Sequence, residues 1–272
     1  MVPPVEIALR DTGGDGPVVV FLHGLLVDGS LWDAVVDRLP GHRCLVPELP
    51  LGSHTVPFPD RSRLTMEGMA DLAADLLDEL GVSDVTVVGN DTGGAIAQLL
   101  VTRRPERVGR LVLTPCDAFE VFPPPLFKPL FLLGRTSLGL NLGIQPLRTP
   151  LGRRLPIAYG KLTKRATDAQ LRRWIAPALS DRRVRADAAH FLRRARPAIT
   201  LDAAARLTAF AKPATIVWAR DDPAFPFALA RRLAQVLPHA ELVELADSRA
   251  FVPVDAPDEL ARIVAQSPQP GS

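Results

Sequence analysis

Short runs of β-branched and aliphatic residues alternate, in the first part of the chain, with longer stretches whose apolar positions recur at helical spacing. The short runs predict strands at Val5 to Leu9, Val18 to Leu22, Arg43 to Pro47, Val85 to Val88 and Arg110 to Thr114. Two stretches between them predict helices. Leu31 to Leu39 is the first; Thr65 to Leu80 is the second, with Met66, Met69, Leu72, Leu76, Leu77 and Leu80 facing the core before Gly81 ends it. Strand and helix alternating in this way predict a mostly parallel central sheet flanked by helices, an α/β fold.

The rhythm breaks after Cys116. Pro123, Pro124 and Pro125 lead into an apolar helix-like stretch, and two arginine-rich helical segments follow, Gln170 to Leu179 and Arg182 to Arg196. Strands then resume at Ala214 to Trp218 and Glu241 to Glu244, each followed by a helical pattern, Phe227 to Leu237 and Pro257 to Ala265. The simplest architecture is one α/β core, residues 1–118 and 203–272, with a helical lid inserted at 119–202. The polar, proline-containing tail from Gln266 to Ser272 is expected to fray.

Composition adds bounds to this picture. A chain of 272 residues with 47% apolar content can build one sizeable core. Cys44 and Cys116 lack metal-ligand spacing and read as buried packing residues, so neither a metal nor a cofactor is implied. The first residues lack the basic start and apolar stretch of a secretory leader, and no apolar run reaches membrane-spanning length. The expectation is a soluble, cytoplasmic protein with no membrane partner. The formal charge of +2 conceals a split, because residues 119–202 hold 16 Lys and Arg against 5 Asp and Glu. Two readings stay open: solvated helix faces, or a basic lid that attracts an anionic substrate or carrier. Nothing resembles a helix-turn-helix, a zinc finger or an aromatic-basic sheet face, which argues against nucleic acid.

The candidate chemistry centres on Gly89-Asn90-Asp91-Thr92-Gly93-Gly94, which follows a strand and opens a helix. Glycines two residues either side of a central residue suit a sharp strand-to-helix turn that has no room for side chains where strand and helix meet. Asp91 would project above the sheet at a helix N-terminus, or serve that helix as an ordinary N-cap. Two further segments bear on the choice. His23-Gly24 ends an apolar strand, and Trp218-Ala219-Arg220-Asp221-Asp222-Pro223-Ala224-Phe225-Pro226 ends a later one.

Together these segments resemble the α/β-hydrolase superfamily, in its branch with an aspartate nucleophile, over essentially the whole chain. The resemblance implies an α/β-hydrolase fold with an inserted helical cap. It implies that Asp91 is the reacting carboxyl, that Asp222 is the second acid, and that the backbone N–H groups of Leu25 and Thr92 form an oxyanion-type site. An aspartate nucleophile attacks a carbon bearing a good leaving group, such as a halide or a strained epoxide, and the resulting ester must be cleaved by water. In haloalkane dehalogenases and epoxide hydrolases a histidine after the last strand activates that water. Ala250 stands at that position here, and no histidine follows His239. Thr92 also replaces the tryptophan that dehalogenases place after the nucleophile, and Tyr159 is the only tyrosine.

If a base comes from elsewhere, His54 is the candidate, beyond the strand ending near Pro47 and on the edge where strand C-termini converge. Asp117, after the strand ending at Thr114, could supplement Asp222 or simply cap a loop. Arg249 could settle beside either acid. Apolar lid residues, Phe122, Leu126, Phe127, Phe131, Leu132 and Trp174, are candidates for a pocket wall. With no imidazole, Asp91 and Asp222 would face each other, and two nearby carboxylates push one proton affinity upward, so that a partly protonated Asp91 suits acid-base work. The expectation is therefore an enzyme acting on a small or medium apolar organic molecule. The alternatives are a non-hydrolytic isomerase, cyclase or lyase on the same fold, and a non-catalytic ligand-binding protein like the gibberellin receptors, which share the fold and lack the histidine.

Overall fold

The computed structural model describes residues 7–266. Its strands are β1 Leu9–Asp11, β2 Val18–Leu22, β3 Arg43–Pro47, β4 Val85–Asp91, β5 Val108–Cys116, β6 Ala214–Ala219 and β7 Ala240–Leu245. They form a single sheet in the order β1-β3-β2-β4-β5-β6-β7. Only β1 runs antiparallel, pairing with β3 from Leu9 opposite Pro47 to Asp11 opposite Leu45. The helices are α1 Asp33–Val36, α2 Met66–Glu79, α3 Thr92–Arg103, α4 Lys128–Gly134, α5 Ser137–Ile144, α6 Pro150–Arg153, α7 Asp168–Ser180, α8 Arg182–Arg194, α9 Pro197–Arg206, α10 Phe227–Val236, α11 Val252–Asp255 and α12 Pro257–Ala265.

The central strands form because their runs can be buried on both faces. Val20, Phe21 and Leu22 of β2, Val85, Val87 and Val88 of β4, and Leu111, Val112 and Leu113 of β5 are all fully buried. Helix α2 begins where the Thr65 hydroxyl accepts the Gly68 N–H at 2.9 Å, and it buries Met66, Met69, Leu72, Leu76 and Leu77. Helix α7 opens on a capping box between Thr167 and Gln170. Both cysteines are free and buried.

Two elements differ from expectation. The predicted first strand, Val5 to Leu9, becomes Leu9–Asp11; Val5 and Glu6 lie outside the described residues, as does the tail after Gln266. Pairing with β3 sets this edge strand, and Asp11 completes it by binding the Arg43 guanidinium at 2.6 Å. The predicted helix Leu31 to Leu39 begins instead as a 3-10 turn, Gly29–Trp32, and continues only through the short α1. The Asp28 carboxylate captures both the N–H and the hydroxyl of Ser30, at 2.8 and 2.5 Å, which tightens the first turn.

Helices α4 to α9 lie between β5 and β6 in the chain. Helices α4, α5 and α8 pack on one another, and α7 reaches the core through Trp174, whose indole N–H donates to the Ser30 hydroxyl at 2.9 Å. Strands β2 to β7 all run the same way, so their C-terminal ends gather at one edge beneath these helices. Among the described residues no helix is long and apolar enough to cross a membrane.

Candidate functional site

The turn from β4 into α3 holds Asp91 at φ 54°, a left-handed conformation that costs a non-glycine residue about 1–3 kcal/mol. Close packing imposes it. A Cβ on Gly93 would stand 2.1 Å from the Leu22 carbonyl oxygen, and one on Gly24 would stand 2.3 Å from the Asp91 carboxylate. Glycine at both positions lets the elbow press against the end of β2. Although Asp91 occupies the N-cap position of α3, its side chain makes no capping hydrogen bond. The carboxyl faces a cavity of about 140 Å³ instead, with Leu25 and Thr92 lining the same space.

His23 supports this arrangement without sharing in it. Its Nε2 accepts the Leu49 N–H at 3.0 Å, which leaves Nδ1–H to donate to the Gly24 carbonyl at 3.0 Å. Burial pulls its pKa down, so the ring is neutral and fixed in one tautomer.

Three carboxyl groups stand around the elbow. Burial, opposed by the Thr92 N–H and reinforced by the charge of Asp222, raises Asp91 from the ordinary 3.8 to about 7. Burial likewise raises Asp222 to about 6, against the N–H groups of Phe225 and Ala224, which donate to Oδ1 at 2.9 and 2.7 Å. Its other oxygen, Oδ2, is buried with no hydrogen-bond partner among the described residues. Asp117, fully buried, is pushed well above the carboxylate range by burial and by Asp91, although the Thr92 hydroxyl bonds its Oδ2 at 3.0 Å. Asp117 therefore keeps its proton at neutral pH, Asp91 is shared between its two forms, and Asp222 ionises before Asp91.

Position 250 contributes no imidazole. Ala250 is fully buried, and its carbonyl accepts the Asn90 side-chain amide at 2.7 Å. The same amide reaches the Thr114 hydroxyl at 2.8 Å and the Pro115 carbonyl at 3.2 Å, so Asn90 ties the elbow to both flanking loops.

Other expected participants stand elsewhere. His54 does not line the cavity; its Nδ1 accepts the Gly52 N–H at 3.2 Å and its Nε2 faces Asp187 of α8 at 3.3 Å. Asp187 also binds the Phe58 N–H and the Arg61 guanidinium, making this cluster an anchor between core and inserted helices. Arg249 forms no ion pair with Asp91 or Asp222. It donates to the Gly160 carbonyl at 2.7 Å, and its charge still draws the Asp222 pKa down. Phe122 and Trp174 are buried behind the wall and do not line it. Phe122 packs edge-on against Phe131, which does line the cavity, while Trp174 packs against Tyr159 and Phe251.

The wall is otherwise apolar, with Phe127, Leu130, Phe131, Leu147 and Leu162 among its residues. Tyr159 interrupts it and is absent from the set expected from sequence. Its hydroxyl donates to the Leu26 carbonyl at 2.6 Å, tying the inserted helices to the loop after β2. The signal available was its solitude as the only tyrosine, in the short apolar stretch from Leu155 to Gly160. Among the described residues no group of His, Cys, Asp and Glu is arranged to hold a metal ion.

Comparisons with known proteins bear on the fold and the family. The cis-3-alkyl-4-alkyloxetan-2-one decarboxylase of Shewanella oneidensis is 30% identical over 259 residues, covering 91% of this chain and 80% of that protein. Haloalkane dehalogenase 2 of Mycobacterium tuberculosis is 26% identical, covering 93% and 88%. The crystal structure of haloalkane dehalogenase DbeA from Bradyrhizobium elkani superposes with a TM-score of 0.77 at 23% identity, over 95% of this chain and 92% of that one, a likeness of fold. Residues 19–263 match the alpha/beta hydrolase family, and the chain belongs to that family.

Proposed function

We propose that the chain is an enzyme that converts a small or medium apolar organic molecule between the sheet and the inserted helices, with Asp91 as the reacting carboxyl and without consuming water. The observation that carries this reading is the pairing of a proton-holding Asp91 with a fully buried alanine at 250. An ester formed on Asp91 would have no imidazole to activate the water that must cleave it. A carboxyl with a pKa of about 7 is instead suited to give and take a proton near neutral pH. Leu25 and Thr92, beside it, would offer backbone N–H groups to a developing oxyanion, Thr92 by turning from the bond it makes to the Asp91 carboxyl.

The cavity size and chemistry bound the substrate. About 140 Å³ is the scale of a cavity that holds benzene, so the reacting part is small, while the apolar wall selects hydrocarbon around it. The decarboxylase relative acts on an oxetan-2-one, a strained four-membered lactone. Loss of carbon dioxide from such a ring breaks one C–O and one C–C bond and forms a C=C bond. The two products contain every atom of the lactone, and no water enters. In that conversion protonated Asp91 would hydrogen-bond to the carboxyl oxygen as charge develops and keep its proton as carbon dioxide leaves, and the neighbouring Asp222 charge would favour that protonated state. Strained lactones with short alkyl substituents are therefore the first substrates to test.

The test is turnover of an oxetan-2-one panel by wild type and Asp91→Asn, with intact mass recorded during turnover. Alkene formation lost in Asp91→Asn, with no adduct on the wild-type protein, is expected. An accumulating ester on Asp91, or unchanged turnover by the variant, would overturn the reading.

A further inference from the structure

From Val121 to Thr167 the chain runs 47 residues without one acidic residue while carrying eight Lys and Arg. Three of those charges are spent within the molecule: Arg153 pairs with Asp168, and Lys164 and Arg165 pair with Asp247. The other five, Lys128, Arg135, Arg148, Arg154 and Lys161, are exposed and form no ion pair among the described residues. This charge is not distributed around the molecule, because the rest of the chain is acidic on balance.

The same segment carries the molecule's exposed hydrocarbon. Leu132, Leu138, Leu142 and Leu151 are 62–78% exposed, and outside the segment only Val56 and Leu201 are large, apolar and exposed among the described residues. Leu138 and Leu142 sit four residues apart on α5 and so share one face. Helix α4, with Leu132, packs on α5. Exposed Leu133, Leu155 and Ile157 border this patch in sequence and also line the cavity that reaches Asp91. The mouth of the site therefore opens among exposed aliphatic side chains, on a segment that carries five cations outside any ion pair; three of them, Arg135, Arg148 and Arg154, also donate to the backbone carbonyls of Arg193, Leu179 and Ala166. Concentrated apolar exposure of this kind marks a contact surface.

We propose that this face docks on an anionic phospholipid surface, with the leucines in the acyl boundary and the five cations at the headgroups. The charge selects this occupant. A second copy meeting the same face would set five unpaired cations against five more, whereas an anionic bilayer neutralises them and receives the leucines. No helix needs to cross the bilayer, since short helices lie in the interface. Docking itself does not depend on the chemistry at Asp91. Its consequence does rest on the proposed function: an apolar substrate would pass from the lipid phase into the cavity past Leu133, Leu155 and Ile157.

Flotation of the whole protein with vesicles tests the proposal. Vesicles of phosphatidylcholine containing phosphatidylglycerol should carry the protein upward at low salt and release it at high salt, and vesicles of phosphatidylcholine alone should not carry it. Replacing Leu138, Leu142 and Leu151 together by Ser should lower binding by roughly tenfold or more. Arg135→Glu with Arg148→Glu should lower it by roughly tenfold or more as well, since each headgroup cation is worth about fivefold. The leucines are exposed and the two arginines hold only surface hydrogen bonds, to Arg193, Gln145 and Leu179, so thermal unfolding of both variants should stay close to wild type. Asp91→Asn should float like wild type, which separates docking from catalysis. The proposal is overturned if no vesicle carries the protein, if the leucine variant binds as wild type does, or if sedimentation without lipid finds a dimer that the leucine variant dissociates.

Discussion

Replacing Asp91 by Asn should make the protein more stable, and by an amount that depends on pH. In the folded chain Asp91 takes up its proton at about 7, against 3.8 ordinarily. Between those two pH values the unfolded chain has lost the proton and the folded chain keeps it. Folding then requires proton uptake, and wild-type stability falls as pH rises. The interval spans about three pH units at about 1.4 kcal/mol each, so the full penalty above pH 7 is about 4 kcal/mol. Asparagine has the same shape and no titration. Guanidinium unfolding of both proteins from pH 5 to pH 8 measures the difference between them. The advantage of Asp91→Asn should grow by about 2–3 kcal/mol from pH 5 to pH 7 and then level off. A difference that stays flat, or shrinks as pH rises, would refute the argument that burial and Asp222 hold a proton on Asp91.

Two further outcomes follow from the same geometry. Ala250→His places an imidazole in a fully buried position, so it should cost about 1–3 kcal/mol of stability through overpacking. It should also lower the Asp91 pKa and open hydrolysis of a haloalkane or epoxide, read as product formation absent from wild type. Asp187→Ala removes the acceptor for His54, Arg61 and the Phe58 N–H, and should lower stability by about 3 kcal/mol at neutral pH. Burial works against Asp187, but those hydrogen bonds outweigh it and depress its pKa. The part of its contribution that comes from the depressed pKa is present at neutral pH and is lost as pH falls below about 4, where the gap in thermal unfolding between the two proteins should narrow.

The sequence was informative where local pattern decides the outcome. Glycines at 89 and 93 disclose the elbow because the close approach of Gly93 to Leu22 leaves no alternative. Six of the seven strands stood near their observed places: β2 to β6 because continuous apolar runs need burial on both faces, and the edge strand β7 because its apolar Leu242, Val243 and Leu245 are interleaved with exposed Glu241 and Glu244. Sequence position could not tell which buried residues face the cavity. Phe122 and Trp174 are as apolar and as buried as expected, yet they pack behind Phe131 and Tyr159. His54 lies beyond the strand end as read, but its partner, Asp187, is 133 residues away, and such pairs emerge only when the inserted helices dock. Asn90 illustrates the same limit, since its role depends on the distant Ala250 carbonyl.

The central claim is that chemistry at Asp91 proceeds without water. Turnover of an oxetan-2-one in water enriched in oxygen-18 tests it directly, with products resolved by mass spectrometry. The account predicts alkene and carbon dioxide from wild type, no hydroxy acid carrying the label, and loss of alkene in Asp91→Asn. Labelled hydroxy acid as the principal product, dependent on Asp91, would contradict it.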